Sequence, residues 1–261
     1  MGKVHSKDGA TIAYDRSGEG APLILVDGAM CYRAFGPMGP LVAKLAPHFT
    51  VFAYDRRGRG ESGDTAPYAV EREIEDLDAL IQEAGGSAFV YGISSGAALS
   101  LAAAASGLSI KKLALYEPPF NLDESVRGQP EENLKQFKRL HAEGRRGDMV
   151  EFFMTQVGMP AEAIGQMRNS PMWPLMEGIA PTLIYDTTIL GDGMLPSKQA
   201  NSVAIPTLVM AGGAGMAWMR DTAQALASAI PNAQYRTLEG QTHDVSAEAM
   251  APALIEFFTA P

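Results

Sequence analysis

Phe89-Val90-Tyr91-Gly92-Ile93-Ser94-Ser95-Gly96-Ala97-Ala98 is the stretch on which the fold turns. Phe89 to Tyr91 are β-formers, and the run from Ala97 to Ala105 has the small-residue composition of a close-packed buried helix. Between them lies Gly-x-Ser-x-Gly. A serine held on a sharp strand-to-helix turn needs neighbours without bulk, and Gly92 and Gly96 stand where a Cβ would strike the adjoining strand or helix. The helix start would then aim backbone N–H groups at developing negative charge. Only Ser94 is in frame, because Ser95 would need a glycine where Ile93 stands. With 27 glycines in the chain, the bare pattern arises by chance about once in six such sequences, so its weight comes from the flanking strand and helix. The competing reading is a plain turn whose serine caps the helix.

Outward from this turn the chain alternates. Thr11 to Tyr14, Leu23 to Val26, Val51 to Tyr54, Ala88 to Tyr91, Leu113 to Tyr116, Thr207 to Ala211 and Gln234 to Thr237 read as strands. Val70 to Ala84, Ser95 to Ser106, Trp218 to Ile230 and Ala247 to Phe258 read as helices, the first from Val70, Ile74, Leu77 and Ile81 on one face. This order predicts an α/β fold, a mostly parallel central sheet with helices on both faces. After Tyr116 no clear strand appears until Thr207, too long a gap for an ordinary crossover. Glu131 to Arg145, Met149 to Val157, Ala161 to Met167 and Trp173 to Leu190 are helical by composition, so residues 120–200 are expected to form a helical cap inserted into a core of residues 1–119 and 201–261.

With 261 residues, 46% of them apolar, the chain can bury one substantial core. A formal charge of −9 argues against nucleic acid as a partner, and the basic run Lys135, Lys138, Arg139, Arg145 and Arg146 is interleaved with acids as on a solvated helix face. Cys31 is the only cysteine, which fits a reducing cytoplasm. The opening residues lack the apolar core of a signal peptide, and no apolar run is long enough for a membrane span. A soluble, cytoplasmic protein is expected, without metal or cofactor and with a homodimer left open.

The chain resembles the α/β-hydrolase superfamily in several motifs taken in order. Asp55-Arg56-Arg57-Gly58-Arg59-Gly60-Glu61-Ser62 is similar to the family's DxRGxGxS loop, Leu23 to Gly28 to the strand entering its oxyanion loop, and Leu238 to His243 to the loop bearing its histidine. The resemblance implies Ser94 as nucleophile and His243 as general base. His5, His48 and His141 are read as surface residues. The family's usual acid follows the strand at Thr207 to Ala211, yet Gly212-Gly213-Ala214-Gly215 holds no carboxylate. Some members, haloalkane dehalogenases among them, place the acid after the strand preceding the cap, where this chain has Glu117. Glu117 is therefore the candidate third member, against a reading in which it only pairs with Arg56 or another cation; Asp221 and Asp244 are weaker alternatives.

Asp27 stands where the family usually has His before Gly. Backbone donors of Ala29 and Ser95 can still form an oxyanion hole, with Asp27 expected to anchor the loop by hydrogen bonds. Cys31, outside any strand-turn-helix frame, is expected to be a buried structural thiol. Half of the fourteen methionines fall between Met149 and Met194, and Met30, Phe152, Phe153 and Trp173 are expected to line a pocket for a small apolar substrate. The resemblance implies ester or lactone hydrolysis through an acyl-enzyme. The same fold also hosts cofactor-free perhydrolases, C–C hydrolases, cyclases, epimerases and ligand receptors.

Overall fold

The computed structural model describes residues 1–261. Strands β1 (Gly2–His5), β2 (Thr11–Ser17), β3 (Ala21–Val26), β4 (Phe49–Tyr54), β5 (Ala88–Ile93), β6 (Ile110–Tyr116), β7 (Thr207–Gly212) and β8 (Ala233–Leu238) form one eight-stranded sheet. Their order is β1-β2-β4-β3-β5-β6-β7-β8. The β1–β2 and β2–β4 pairs are antiparallel, and every other pair is parallel. In β3, Leu23 and Leu25 pack on one face and Ile24 and Val26 on the other, the continuous apolar pattern of a strand covered on both sides.

Helices α1 (Met38–Leu45), α2 (Val70–Glu83) and α3 (Ser95–Ala105) precede β6; α4 (Gln129–Ala142), α5 (Arg146–Gln156), α6 (Ala161–Arg168), α7 (Trp173–Ile179), α8 (Leu183–Ile189) and α9 (Ser197–Ser202) lie between β6 and β7. Helix α10 (Ala217–Ala229) joins β7 to β8, and α11 (Ala247–Thr259) ends the chain. Leu77, Leu80 and Ile81 of α2, Leu99 and Leu101 of α3 and Leu226 of α10 cover the face bearing Ile24, Val90 and Val209. Leu41 and Leu45 of α1 and Leu254, Phe257 and Phe258 of α11 cover the face bearing Leu25, Tyr91 and Met210. The helices between β6 and β7 hold most of a third apolar cluster, which Met30 of the β3–α1 loop joins. No helix is long and apolar enough to cross a membrane.

Three elements escape the sequence reading. Strand β1 has one buried residue, Val4, too little for an alternation to be seen. Helix α1 is masked by Gly36-Pro37-Met38-Gly39-Pro40, although proline is tolerated in a first turn, where no N–H is required. Short, polar α9 carries no helical period. The expected continuous run Trp173 to Leu190 is divided into α7, a 3-10 turn at Ala180–Thr182 and α8, because Pro181 supplies no N–H to carry the first helix onward.

Candidate active site

The loops after β3, β4, β5, β6, β7 and β8 all leave the carboxyl edge of the parallel strands, where open α/β sheets bind ligands. At the β5–α3 turn Ser94 has φ 55° and ψ −127°. Its side chain makes no cap hydrogen bond, which sets the capping reading aside. The tightness of the turn explains both glycines: a Cβ on Gly92 would stand 2.5 Å from the Gly96 carbonyl oxygen, and one on Gly96 would strike the carbonyls of Val26 and Asp27. A left-handed φ costs a non-glycine residue about 1–3 kcal/mol and persists only where the surroundings impose it. Only two other non-glycine residues share it, Met30 at 60° and Glu117 at 44°, and both sit on loops at this same edge.

Ser94 and Glu117 follow strand ends that are in register, Ile93 opposite Tyr116, and the Ser94 N–H donates to the Tyr116 carbonyl at 2.9 Å. Glu117 is fully buried. Its N–H donates to the Met210 carbonyl at 3.0 Å, its Oε1 accepts from the Gly212 N–H at 2.8 Å, and its Oε2 lies 2.7 Å from His243 Nδ1. Arg56 is committed to Glu73 and Asp186 instead, so the alternative pairing of Glu117 with Arg56 is not what forms. Asp221 and Asp244 are exposed. A Cβ on Gly215 would stand 3.3 Å from Glu117 Oε1, so the space after β7 that lacks an acid is reached by the glutamate of the neighbouring strand.

The His243 loop is held from two sides. The Tyr116 hydroxyl donates to the Thr242 carbonyl, and the Ala214 N–H donates to the Gln241 carbonyl at 2.9 Å. Burial, with the Glu117 charge adding to it, pushes the Tyr116 hydroxyl well above the usual phenol range and keeps it a donor. With Nδ1 on Glu117, Nε2 is the ring nitrogen left without a hydrogen bond, and the ring retains 43% side-chain exposure. His5, His48 and His141 lie exposed at the surface.

The β3–α1 loop runs against the serine: a Cβ on Gly28 would be 3.7 Å from Ser94 Oγ. The Gly28 N–H is taken by Asp27 Oδ1 at 3.0 Å. The N–H groups of Ala29 and Ser95 are paired with no backbone carbonyl. Buried Asp27 therefore anchors the loop, and burial pushes its carboxyl up to about 7 against the opposing pull of the Gly28 N–H, Arg59 and Arg56. Cys31 is partly rather than fully buried; desolvation and the Asp27 charge raise its thiol above the ordinary range, the reverse of what a nucleophilic thiol needs.

Beneath these loops lies a buried ionic network. Arg56, Arg57 and Arg59 are at most 1% exposed. Arg56 forks onto Glu73 at 2.7 and 2.8 Å, and Arg57 forks onto Asp76 at 2.8 and 2.7 Å. Arg59 Nη2 reaches both oxygens of Asp186 at 2.8 Å, and its Nη1 donates to the carbonyls of Gly28 at 2.5 Å and Cys31 at 3.2 Å. Asp186 also accepts from Arg56 and, at 2.7 Å, from Ser95 Oγ. Burial opposes its ionisation, but Arg59 and Arg56 hold its carboxyl below the usual range. Sequence reasoning missed Asp186, although an acid amid Leu183, Ile184 and Ile189 is itself a signal, because a buried charge requires a partner.

Ala29 and Met30 join Phe152, Phe153 and Trp173 in the apolar cluster of the inserted helices. Trp173 has the Arg168 guanidinium over its ring at 5.6 Å and abuts Gly147, so part of its surface serves to pack α7 on α5. No three His, Cys, Asp or Glu side chains gather in a way that could hold a metal ion.

Residues 9–256 match the model of the alpha/beta hydrolase family. An alpha/beta hydrolase from Sphaerobacter thermophilus is 57% identical, with 99% of this chain and 100% of that one covered and a TM-score of 0.91. A thermophilic esterase from Thermogutta terrifontis (21% identity, 98% and 97% covered, TM-score 0.75) and an enol-lactonase from Burkholderia xenovorans (22%, 99% and 100%, TM-score 0.70) share the fold. The chain belongs to the alpha/beta hydrolase family.

Proposed function

We propose that the protein is a serine hydrolase that cleaves an ester or lactone of a small, largely apolar substrate through an acyl-enzyme. The observation that carries this reading is the buried Glu117 carboxylate on His243 Nδ1, one residue past a strand end in register with the Ser94 turn. Ser94 Oγ attacks the carbonyl carbon while His243 Nε2 takes its proton. Glu117 holds the imidazole with its proton on Nδ1 and stabilises the imidazolium. The N–H groups of Ala29 and Ser95 receive the oxyanion, worth about 10²–10³ in kcat per donor in well-studied cases. The imidazolium then protonates the leaving alkoxide, and water, activated by the same ring, releases the acid.

Residues 120–200 act as a cap over a core of residues 1–119 and 201–261, and Met30, Phe152 and Phe153, with Trp173 at their margin, receive the apolar part of the substrate. Adaptable methionine and aromatic side chains suit such a ligand. The test is labelling by a fluorophosphonate together with turnover of p-nitrophenyl esters of graded length. Modification at Ser94 and loss of at least 10³-fold activity in Ser94→Ala are expected. Esterase activity surviving that substitution would remove the acyl-enzyme, and ligand binding by an unreactive serine would point to a receptor.

A further inference from the structure

We propose that Asp186, on the inserted helix α8, is a positioning residue that sets both halves of the oxyanion hole. This rests on the reading of Ser94 as nucleophile and of Ala29 and Ser95 as donors. The Gly28 carbonyl and the Ala29 N–H belong to one peptide unit, which is planar, so fixing the oxygen fixes the direction of the hydrogen. Arg59 Nη1 holds that oxygen at 2.5 Å, and Asp186 holds Arg59 through its Nη2 at 2.8 Å to each carboxylate oxygen. A cation on the carbonyl also draws electron density through the peptide and strengthens its N–H as a donor. The second donor is governed by the same carboxylate: Ser95 Oγ donates to Asp186 Oδ1 at 2.7 Å, tying down the residue whose backbone N–H opens α3. Arg56 closes the network, donating to Asp186 Oδ1 at 2.8 Å and to the Asp27 carbonyl at 3.2 Å.

Asp186, Arg56 and Arg59 act through the two donors and do not themselves touch the reacting atoms. Asp186, Arg56, Arg59 and Ser95 are all buried, so the network is not exchanged for water while the insertion is seated. Since α8 lies in the insertion and Gly28, Ala29 and Ser95 lie in the core, docking of α8 and alignment of the hole are a single event. The Tyr68–Tyr185 ring stack, 3.9 Å between centroids, moors α8 at the adjacent residue.

The experiment compares wild type with Asp186→Asn and Arg59→Lys, using p-nitrophenyl acetate kinetics and the affinity of a trifluoromethyl ketone, which adds to the serine and places its oxyanion in the hole. The lysine keeps a cation opposite Asp186 but cannot fork to the Gly28 carbonyl as well. Both variants are expected to lose about ten- to a hundredfold in kcat, less than the loss of a whole donor. KM should change by less than threefold, and ketone affinity should fall in parallel with kcat. A role in folding alone would reduce the amount of active protein without weakening the ketone's Kd. If Asp186→Asn does not fold, Arg59→Lys decides. Folded variants with kcat and ketone affinity within twofold of wild type overturn the proposal. Failure of the underlying reading is separately visible, as absence of ketone binding and serine labelling in the wild type itself.

Discussion

Asp27 is a carboxyl group with no room to be charged comfortably. It is buried, the backbone donor it accepts from is the Gly28 N–H, and a Cβ on Gly36 would stand 2.9 Å from its Oδ2. Burial raises its folded pKa to about 7, whereas an unfolded aspartate titrates near ~3.9. Between those values the native state binds a proton that the unfolded state has released. The stabilising contribution is thus complete below about pH 4, declines as pH rises toward 7 and is gone above it, at about 1.4 kcal/mol per pH unit spanned. An asparagine side chain at this position would keep an acceptor for the Gly28 N–H without a charge to desolvate. Asp27→Asn is therefore expected to flatten the fall in urea-unfolding free energy between pH 5 and pH 8, gaining on wild type at the upper end. An unaltered pH slope would locate the titration in another group.

At the scale of elements, the proposed third member of the triad follows β6, not β7, and the two strand ends are close enough for the duty to be moved. Gly215 has no left-handed φ, so a side chain is conformationally allowed there, and its Cβ would lie 3.3 Å from the present position of Glu117 Oε1. Truncation in Glu117→Ala should lower kcat by two or more orders of magnitude through loss of the productive tautomer. Adding Gly215→Asp should recover at least tenfold of that loss, read as kcat on p-nitrophenyl butyrate. No recovery would mean that the β7 loop cannot present a carboxylate to Nδ1. The sheet and the Ser94 turn were legible because each is written in short stretches of β-forming apolar residues and glycines with a steric reason, whereas the Glu117–His243 pair was reached through the family resemblance. The ionic network was not legible. Its partners are far apart in sequence, Arg59 and Asp186 being 127 positions apart, and nothing local distinguishes a buried Asp186 from a solvated one except its apolar neighbours. The break between α7 and α8 was legible in Pro181, but the apolar run on both sides concealed it.

Over the whole molecule the charge balance bears on what can approach the serine. The formal charge is −9, and the buried guanidiniums beneath the site loops are already committed: Arg56 to Glu73 and Asp186, Arg57 to Asp76 and Asp8, Arg59 to Asp186. The candidate site holds two buried carboxyls, Asp27 and Glu117, the latter on His243, and the surrounding cluster is apolar. A substrate carboxylate would meet repulsion at long range and find these buried guanidiniums already engaged at short range. A p-nitrophenyl ester ending in a carboxylate should therefore show kcat/KM at least tenfold below that of its neutral methyl-ester counterpart of equal length, measured at low ionic strength. Raising salt shortens the Debye length from about 30 Å at 0.01 M to about 8 Å at 0.15 M, which removes the long-range part alone. The gap should narrow with salt but not close, because the desolvation of a carboxylate against methionine and phenylalanine side chains is unaffected by counterions. A preference for the acid would mean that a guanidinium is recruited, either Arg59 released from Asp186 or Arg220, which donates to the Gly215 carbonyl at 2.5 Å, and these would be the two to substitute next.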